Sequence, residues 1–188
     1  MAEVFCSEFV LGGQRSGKSR RAETIAMRWL SASPAHRAVT IATAQPWDDE
    51  MRERIARHQQ DRAQRLPGMS TVEEPLALAD AVRQHSRAHT LVVVDCLTMW
   101  LTNLLMPMQG EPADPQGPVR ALCEAVAAAP GPVVLVSNEI GWGVIPMGRE
   151  VRAFVDALGH ANQALAAVCP RATLMAAGLP LTLKDNHA

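Results

Sequence analysis

The sequence contains no tyrosine, and its few Phe and Trp residues make up only 4% of 188 residues. Aromatic side chains that could stack on nucleobases are therefore scarce. Neither sign of charge dominates, because the chain has 18 Lys and Arg residues and 19 Asp and Glu residues. The basic and acidic residues are interleaved along the sequence. The sequence thus lacks the basic footprint of a nucleic-acid-binding protein. We expect no nucleic-acid partner.

Paired cysteines, a signal peptide and long apolar runs are also missing. The cysteines are widely spaced and none forms a C-x-x-C pair, which argues against a zinc or redox site and for free thiols in a reducing compartment. The N-terminal residues do not resemble a signal peptide. No apolar run approaches the ~20 residues of a membrane-spanning helix. These absences predict a cytoplasmic protein without a membrane span.

Length and composition are those of an ordinary globular domain. The chain is 48% hydrophobic and 20% charged, and its 188 residues can bury a substantial core. No internal repeat, low-complexity segment or linker divides it. We therefore expect a single domain over residues 1–188.

A complete G-x-x-x-x-G-K-[ST] motif lies near the N-terminus, between an apolar run and a helical pattern. In this motif the backbone N–H groups wrap a polyphosphate, the lysine reaches the β/γ-phosphates and the last hydroxyl ligates Mg²⁺. The strand-turn-helix context favours nucleotide binding over a Gly-rich turn without a ligand. The predicted nucleotide-binding residues are Gly12, Gly13, Gln14, Arg15, Ser16, Gly17, Lys18 and Ser19.

Apolar and helical patterns alternate along the chain. Five apolar runs predict buried strands at residues 4–11, 38–42, 90–94, 132–136 and 172–176. Helical patterns occupy residues 19–30, 48–62, 76–87, 97–106, 119–128 and 149–168. The alternation predicts an α/β fold with a mostly parallel central sheet and helices on both faces. Residues 179–183 fit an added edge strand, because Pro180 suits an edge better than the sheet centre.

Polar residues follow the predicted strands, where an open parallel sheet gathers its ligands. Thr43 follows the second strand, and Asn138 with Glu139 follows the fourth. Asp95, at the end of the third predicted strand, occupies the position of the acidic residue that lies beside Mg²⁺ in phosphate-loop enzymes. As an alternative, or in addition, it could cap the helix that begins at Leu97.

The helix predicted at residues 48–62 carries a histidine on its inward stripe. By helical spacing His58 lies on the same stripe as Ile55 and Arg62, whereas Arg57 points elsewhere. Such a histidine usually packs or forms a hydrogen bond. Near a nucleotide, an imidazole can instead attack phosphorus and carry a nucleotidyl group. The spacing alone leaves both roles open.

Taken together, the motifs resemble those of the bifunctional adenosylcobinamide kinase/adenosylcobinamide-phosphate guanylyltransferases. The phosphate loop, the D-D-E-M helix with His58, the D-C-L-T segment from Asp95 and the S-N-E-I-G-W-G segment at residues 137–143 carry the resemblance, which spans residues 11–184. It implies phosphorylation of adenosylcobinamide by ATP or GTP with Mg²⁺. It further implies transfer of GMP from GTP, through a guanylylated enzyme, to adenosylcobinamide phosphate in cobalamin biosynthesis. A homotrimer is also implied, with the apolar stretch at residues 100–105 either at its interface or in the core.

The resemblance also implies roles for single residues. It makes His58 the guanylylated nucleophile and Lys18 a catalytic group, and it places Mg²⁺ on Ser19 and Asp95. The further nucleotide contacts that it implies are Ala42, Thr43, Ala44, Glu73 and Asp95. Some family members carry two consecutive histidines where this chain has Arg57 and His58. Because a guanidinium stays protonated, either His58 carries GMP or the transferase activity is lost.

Two other functions remain as alternatives. One is a phosphate-loop small-molecule kinase without guanylyltransferase activity, in which His58 is structural. The other is a nucleotide-dependent switch, which is disfavoured because the sequence has no N-K-x-D motif for reading guanine.

Overall fold

The computed structural model describes residues 5–186, apart from the side chains at positions 51, 54, 55, 58, 59 and 61–63. In this range the strands are β1 (Glu8–Gly12), β2 (Arg37–Ala42), β3 (Met69–Glu73), β4 (Thr90–Asp95), β5 (Val133–Asn138), β6 (Arg171–Ala176) and β7 (Leu179–Asp185). The helices are α1 (Lys18–Ala32), α2 (Asp49–Arg65), α3 (Leu78–His85), α4 (Leu97–Leu105), α5 (Gln116–Ala127) and α6 (Arg149–Val168).

Within the described residues, these strands form one seven-stranded sheet in the order β3-β2-β4-β5-β1-β6-β7. All neighbouring strands run parallel except β7, which pairs antiparallel with β6 at the edge. The carboxyl ends of the parallel strands therefore meet along one edge of the sheet, which gathers the polar residues that follow them.

Apolar side chains pack against both faces of the sheet. On one face, helices α3 to α6 cover a cluster that includes Phe9 and Trp100. On the other face, α1 covers a cluster that includes Val10 and Trp29. Phe9 and Val10 face opposite clusters because successive residues of a strand point to opposite sides. The predicted α/β fold with a mostly parallel sheet and helices on both faces is confirmed.

Most of the predicted elements are present, with two differences. The first strand begins at Glu8 rather than residue 4, because its parallel register with β5 and β6 begins there; Val4 lies outside the described residues. The strand β3 was not predicted. Its sequence, M-S-T-V-E, lacks a continuous apolar run because β3 lies at the sheet edge and is mostly exposed. The predicted edge strand that contains Pro180 is confirmed as β7.

The structure also shows where the apolar stretch at residues 100–105 lies and whether any described helix could span a membrane. The apolar stretch at residues 100–105 contributes to the core, since Trp100 and Leu101 are each 1% exposed. None of the helices within residues 5–186 combines the length and apolar character that crossing a bilayer requires.

A buried carboxylate ties three elements together at the start of β1. Glu8 is only 2% exposed. Arg21 of α1 donates from Nε and Nη2 to its two oxygens at 3.0 and 3.2 Å, and the Thr173 hydroxyl of β6 donates at 2.8 Å. The Glu8 carboxylate therefore holds α1 and β6 against β1.

Replacing Glu8 with Leu should lower the free energy of unfolding by about 3 kcal/mol, because Arg21 loses its buried partner. Asp80→Ala is the matched control, because it removes one member of the exposed Asp80–Arg83 pair. That change should lower stability by less than about 1 kcal/mol. Urea denaturation of both variants measures the difference, and equal effects would contradict this account of Glu8.

Candidate functional site

The phosphate-loop motif forms a tight turn between β1 and α1. Gly12 and Gly17 have φ angles of 154° and 104°, a backbone region that residues with a side chain rarely adopt. A Cβ at Gly12 would lie 2.5 Å from the Met175 carbonyl oxygen, and one at Gly17 would lie 3.1 Å from the Cα of Gly178. The N–H of Gly178 also donates to the Ser16 carbonyl at 2.9 Å. The loop is therefore held against the β6–β7 turn, at a distance that only glycine allows.

Lys18 opens α1 and turns back over the loop. Its Nζ donates to the Gly13 carbonyl at 2.6 Å, and the residue is 8% exposed. Burial lowers the pKa of Lys18, while the nearby Cys96 and Asp95 act in the opposite direction. The ammonium group thus lies within the loop, close enough to Asp95 for the two charges to interact.

A buried hydroxyl in the same loop is left without a protein partner. Ser16 is 8% exposed, and its Oγ forms no hydrogen bond with any described residue. An unsatisfied buried hydroxyl costs about 1–3 kcal/mol. A phosphate oxygen, which can accept this hydrogen bond, fits the donor set of the loop.

Residues with oxygen-bearing side chains line one small cavity beneath the start of α1. Ser19 and Asp95 line one small cavity together with Thr40 of β2. Thr40 is completely buried, and its Oγ1 has no hydrogen-bond partner among the described residues. A hydroxyl and a carboxylate are the hard ligands that Mg²⁺ prefers, with water and phosphate oxygens completing the coordination. The residues present therefore fit this ion.

The strand ends beside Asp95 are fixed by Thr43. The Thr43 N–H donates to the Asp95 carbonyl at 3.1 Å, and its hydroxyl donates to the Cys96 carbonyl at 2.7 Å. Asn103 of α4 in turn donates to the Thr43 carbonyl at 2.7 Å. The N-cap position of α4 is Cys96, with no side-chain cap. Asp95 precedes this position and lines the cavity beneath α1.

The end of β5 adjoins the phosphate loop. Glu139 donates its N–H to the Gly12 carbonyl at 3.1 Å. The backbone and side-chain amides of Asn138 both donate to Thr98 Oγ1 at 3.1 Å. Asn162 of α6 donates to the Asn138 carbonyl at 3.1 Å and accepts a hydrogen bond from Ser137 at 2.6 Å. The sequence analysis includes Thr98 in the D-C-L-T segment without giving it a role. It does not identify Asn162, for which the available signal is a polar residue within an apolar stripe.

The structure brings most of the predicted residues to one edge of the sheet. In the sheet register, Ala42 of β2 lies between Glu73 of β3 and Asp95 of β4. Ala44 follows on the same side, and Gln14 and Arg15 are exposed at the loop tip. Position 58 falls within α2, but the side chain of His58 lies outside the described residues. The predicted role of His58 therefore stays a prediction.

Comparison with known proteins shows which family this chain resembles. The family model "Cobinamide kinase / cobinamide phosphate guanyltransferase" (CobU) matches residues 8–183. The chain is 46% identical over 179 residues to the bifunctional adenosylcobalamin biosynthesis protein CobP of Pseudomonas aeruginosa, covering 95% of this chain and 98% of that protein. It is 33% identical over 186 residues to the Escherichia coli protein CobU of the same description, covering 93% and 98%.

Among solved structures, the chain is similar to the flagellar accessory protein FlaH of Methanocaldococcus jannaschii. The TM-score is 0.51, and the match covers 96% of this chain and 79% of that one. Because the sequences are only 10% identical, this likeness shows the fold alone.

Proposed function

The chain belongs to the cobinamide kinase/cobinamide phosphate guanyltransferase family, and we propose that the phosphate loop and α2 divide its two reactions between them. It is an enzyme of adenosylcobalamin biosynthesis with kinase and guanyltransferase activities. The observation that carries the proposal is that Asp95 lies close enough to Lys18 for their charges to interact and lines the same cavity as Ser19. The whole chain acts as a single domain.

In the first reaction, the loop holds ATP or GTP for phosphorylation of adenosylcobinamide. The substrate hydroxyl oxygen bonds to the γ-phosphorus, the bond to the β-phosphate oxygen breaks, and a nucleoside diphosphate and a proton leave. Lys18 and the backbone N–H groups at the start of α1 stabilise the charge that develops on the transferred group. Ser19 and Asp95 are the residues that would hold Mg²⁺, and the ion would neutralise negative charge on the phosphates.

In the second reaction, His58 carries GMP. Its imidazole nitrogen attacks the α-phosphorus of GTP and expels pyrophosphate, which leaves GMP on the ring through a P–N bond. A phosphate oxygen of adenosylcobinamide phosphate then attacks that phosphorus, forms adenosylcobinamide-GDP and restores the imidazole. The family resemblance and the inward sequence stripe that contains His58 support this role, as does the exposure of its neighbour Arg57.

Asp95→Asn should raise the Mg²⁺ concentration for half-maximal phosphorylation by about 10- to 100-fold, because an amide is a weaker ligand than a carboxylate. Initial rates measured across a magnesium series test this. Glu111→Gln removes an acid from an exposed loop and serves as the control. If the two variants share the wild-type magnesium curve, Asp95 does not hold the ion.

The proposed function is tested by incubating the purified protein with adenosylcobinamide, Mg²⁺ and either ATP or GTP, with mass spectrometry of the corrinoid. We expect the mass of one phosphoryl group to be added first and that of GMP to follow when GTP is present. Phosphorylation alone would select the single-activity kinase. Nucleotide hydrolysis without any change in the corrinoid would favour a nucleotide-dependent switch.

Location and assembly complete the proposal. We place the protein in the cytoplasm as a homotrimer. Its cysteines within the described range are free thiols, which suits a reducing compartment. On the edge strand β7, Leu179, Leu181 and Leu183 are 71%, 58% and 56% exposed. Contact between subunits could cover this apolar surface. Sedimentation equilibrium measures the assembly directly.

A further inference from the structure

The segment that follows β5 exposes an unusual amount of apolar surface. Within residues 140–147, here termed the apolar segment, Trp142 and Ile145 are 75% and 77% exposed, and Val144 and Met147 are each 95% exposed. The buried Trp29 and Trp100 are 6% and 1% exposed. Contiguous apolar surface of this kind marks an interaction site more often than scattered single residues do.

This segment begins at the phosphate loop. Its preceding residue, Glu139, donates its N–H to the Gly12 carbonyl at 3.1 Å, and the Glu139 side chain accepts the N–H of Gly141 at 2.8 Å. Three residues of extended chain span at most about 11 Å. The Cα of Trp142 therefore lies within about 11 Å of the Cα of Glu139, the residue that pairs with the phosphate loop.

The far end of the apolar segment is fixed as well. Arg152 of α6 donates from Nη1 to the carbonyls of Pro146 and Met147 at 2.9 and 2.6 Å. Asn162 of the same helix anchors the strand end at Asn138. Helix α6 therefore holds the backbone at the far end of the apolar segment and at the end of the strand that precedes it.

We propose that the apolar segment is the docking surface for the corrinoid ring of adenosylcobinamide, with Trp142 as its main contact. This inference rests on the proposed function, and it names the surface for the second substrate. The hydroxyl that receives the γ-phosphoryl group is attached to a broad, flat macrocycle that cannot enter the phosphate loop. The macrocycle must therefore lie against surface just outside the loop, where an indole offers a flat apolar face.

The apolar segment differs from the exposed leucines of β7 because it adjoins the nucleotide site. The leucines of β7 lie along a sheet edge and present an unpaired strand, which suits contact between protein chains. The apolar segment is instead a loop, and Glu139, the residue directly before it, hydrogen bonds to the phosphate loop. Its occupant is thus a ligand that must also reach the triphosphate.

Kinetics of Trp142→Ser test the proposal. Loss of a buried aromatic contact should raise the KM for adenosylcobinamide by about 30-fold, while the KM for ATP stays within about twofold because nucleotide contacts are unchanged. Met147→Ser should act in the same direction and more weakly. Met27→Ser is the control, since Met27 is an apolar residue of α1 that is 50% exposed.

Two further measurements separate the possible outcomes. Equilibrium dialysis without nucleotide, read by corrinoid absorbance, should show weaker binding to Trp142→Ser than to wild type. Sedimentation equilibrium should give both proteins the same mass. An unchanged KM for adenosylcobinamide in both segment variants would overturn the proposal and leave the proposed function standing. A changed mass of Trp142→Ser with unchanged corrinoid binding would also overturn it, because that result would assign the segment to a subunit interface. If the wild-type protein leaves adenosylcobinamide unmodified, the proposed function fails and this inference falls with it.

Discussion

Lys18→Ala should slow the phosphorylation of adenosylcobinamide by about 100- to 1,000-fold, the usual effect of removing one group that stabilises transition-state charge. The Lys18 ammonium lies inside the loop, 2.6 Å from the Gly13 carbonyl, and is largely shielded from water. Its interaction with a phosphoryl group is therefore weakly screened, so its loss should appear mainly in kcat.

Two matched variants make this expectation specific. Arg20→Ala removes an exposed cation from the same first turn of α1 and should leave the rate within about twofold. Lys18→Arg keeps the charge, but a planar guanidinium cannot take the compact position of the ammonium, so most of the activity should still be lost. A Lys18→Ala protein that folds normally and phosphorylates at the wild-type rate would show that the triphosphate binds elsewhere.

His58→Ala should abolish covalent labelling of the protein by α-labelled GTP while phosphorylation with ATP remains measurable. The two results separate because the imidazole is needed only for the P–N bond of the second reaction. The label on the wild-type protein should be lost in acid and be stable in base. Scintillation counting of precipitated protein gives the labelling, and corrinoid mass spectrometry gives the kinase rate.

Arg57→Ala is the control for His58, because it changes the preceding residue of the same helix, whose side chain is exposed. It should retain labelling, since a protonated guanidinium is no nucleophile. Undiminished labelling of His58→Ala would remove His58 from the mechanism. Loss of labelling in both variants would indicate damage to α2 rather than the loss of a nucleophile.

Much of the fold could be predicted because its central strands are buried on both faces. The residues Leu91 to Val94 of β4 are at most 4% exposed, and such strands read as continuous apolar runs. The edge strand β3 has no such signal, since its residues are partly exposed and its pairing with β2 depends on the rest of the sheet. Edge strands are thus specified by tertiary structure more than by local sequence.

The site could be predicted in so far as it is local in sequence. The phosphate loop is one continuous motif, so the sequence alone is enough to recognise the motif and its strand-turn-helix context. The contacts that support it join distant residues, as in the hydrogen bond from Thr43 to Cys96 and the one from Asn162 to Asn138. The orphaned Thr40 hydroxyl belongs to the same group, because only the packing of α1 on the sheet shows that it lines the cavity with Asp95.

The most direct test of the account is to incubate the wild-type protein with GTP and Mg²⁺, digest it at neutral or alkaline pH and locate the added GMP by peptide mass spectrometry. We predict one GMP, bound to His58 and transferred to adenosylcobinamide phosphate when that acceptor is added. GMP on any other residue, or a protein that phosphorylates adenosylcobinamide but never acquires GMP, would contradict the proposed division of the two reactions between the phosphate loop and α2.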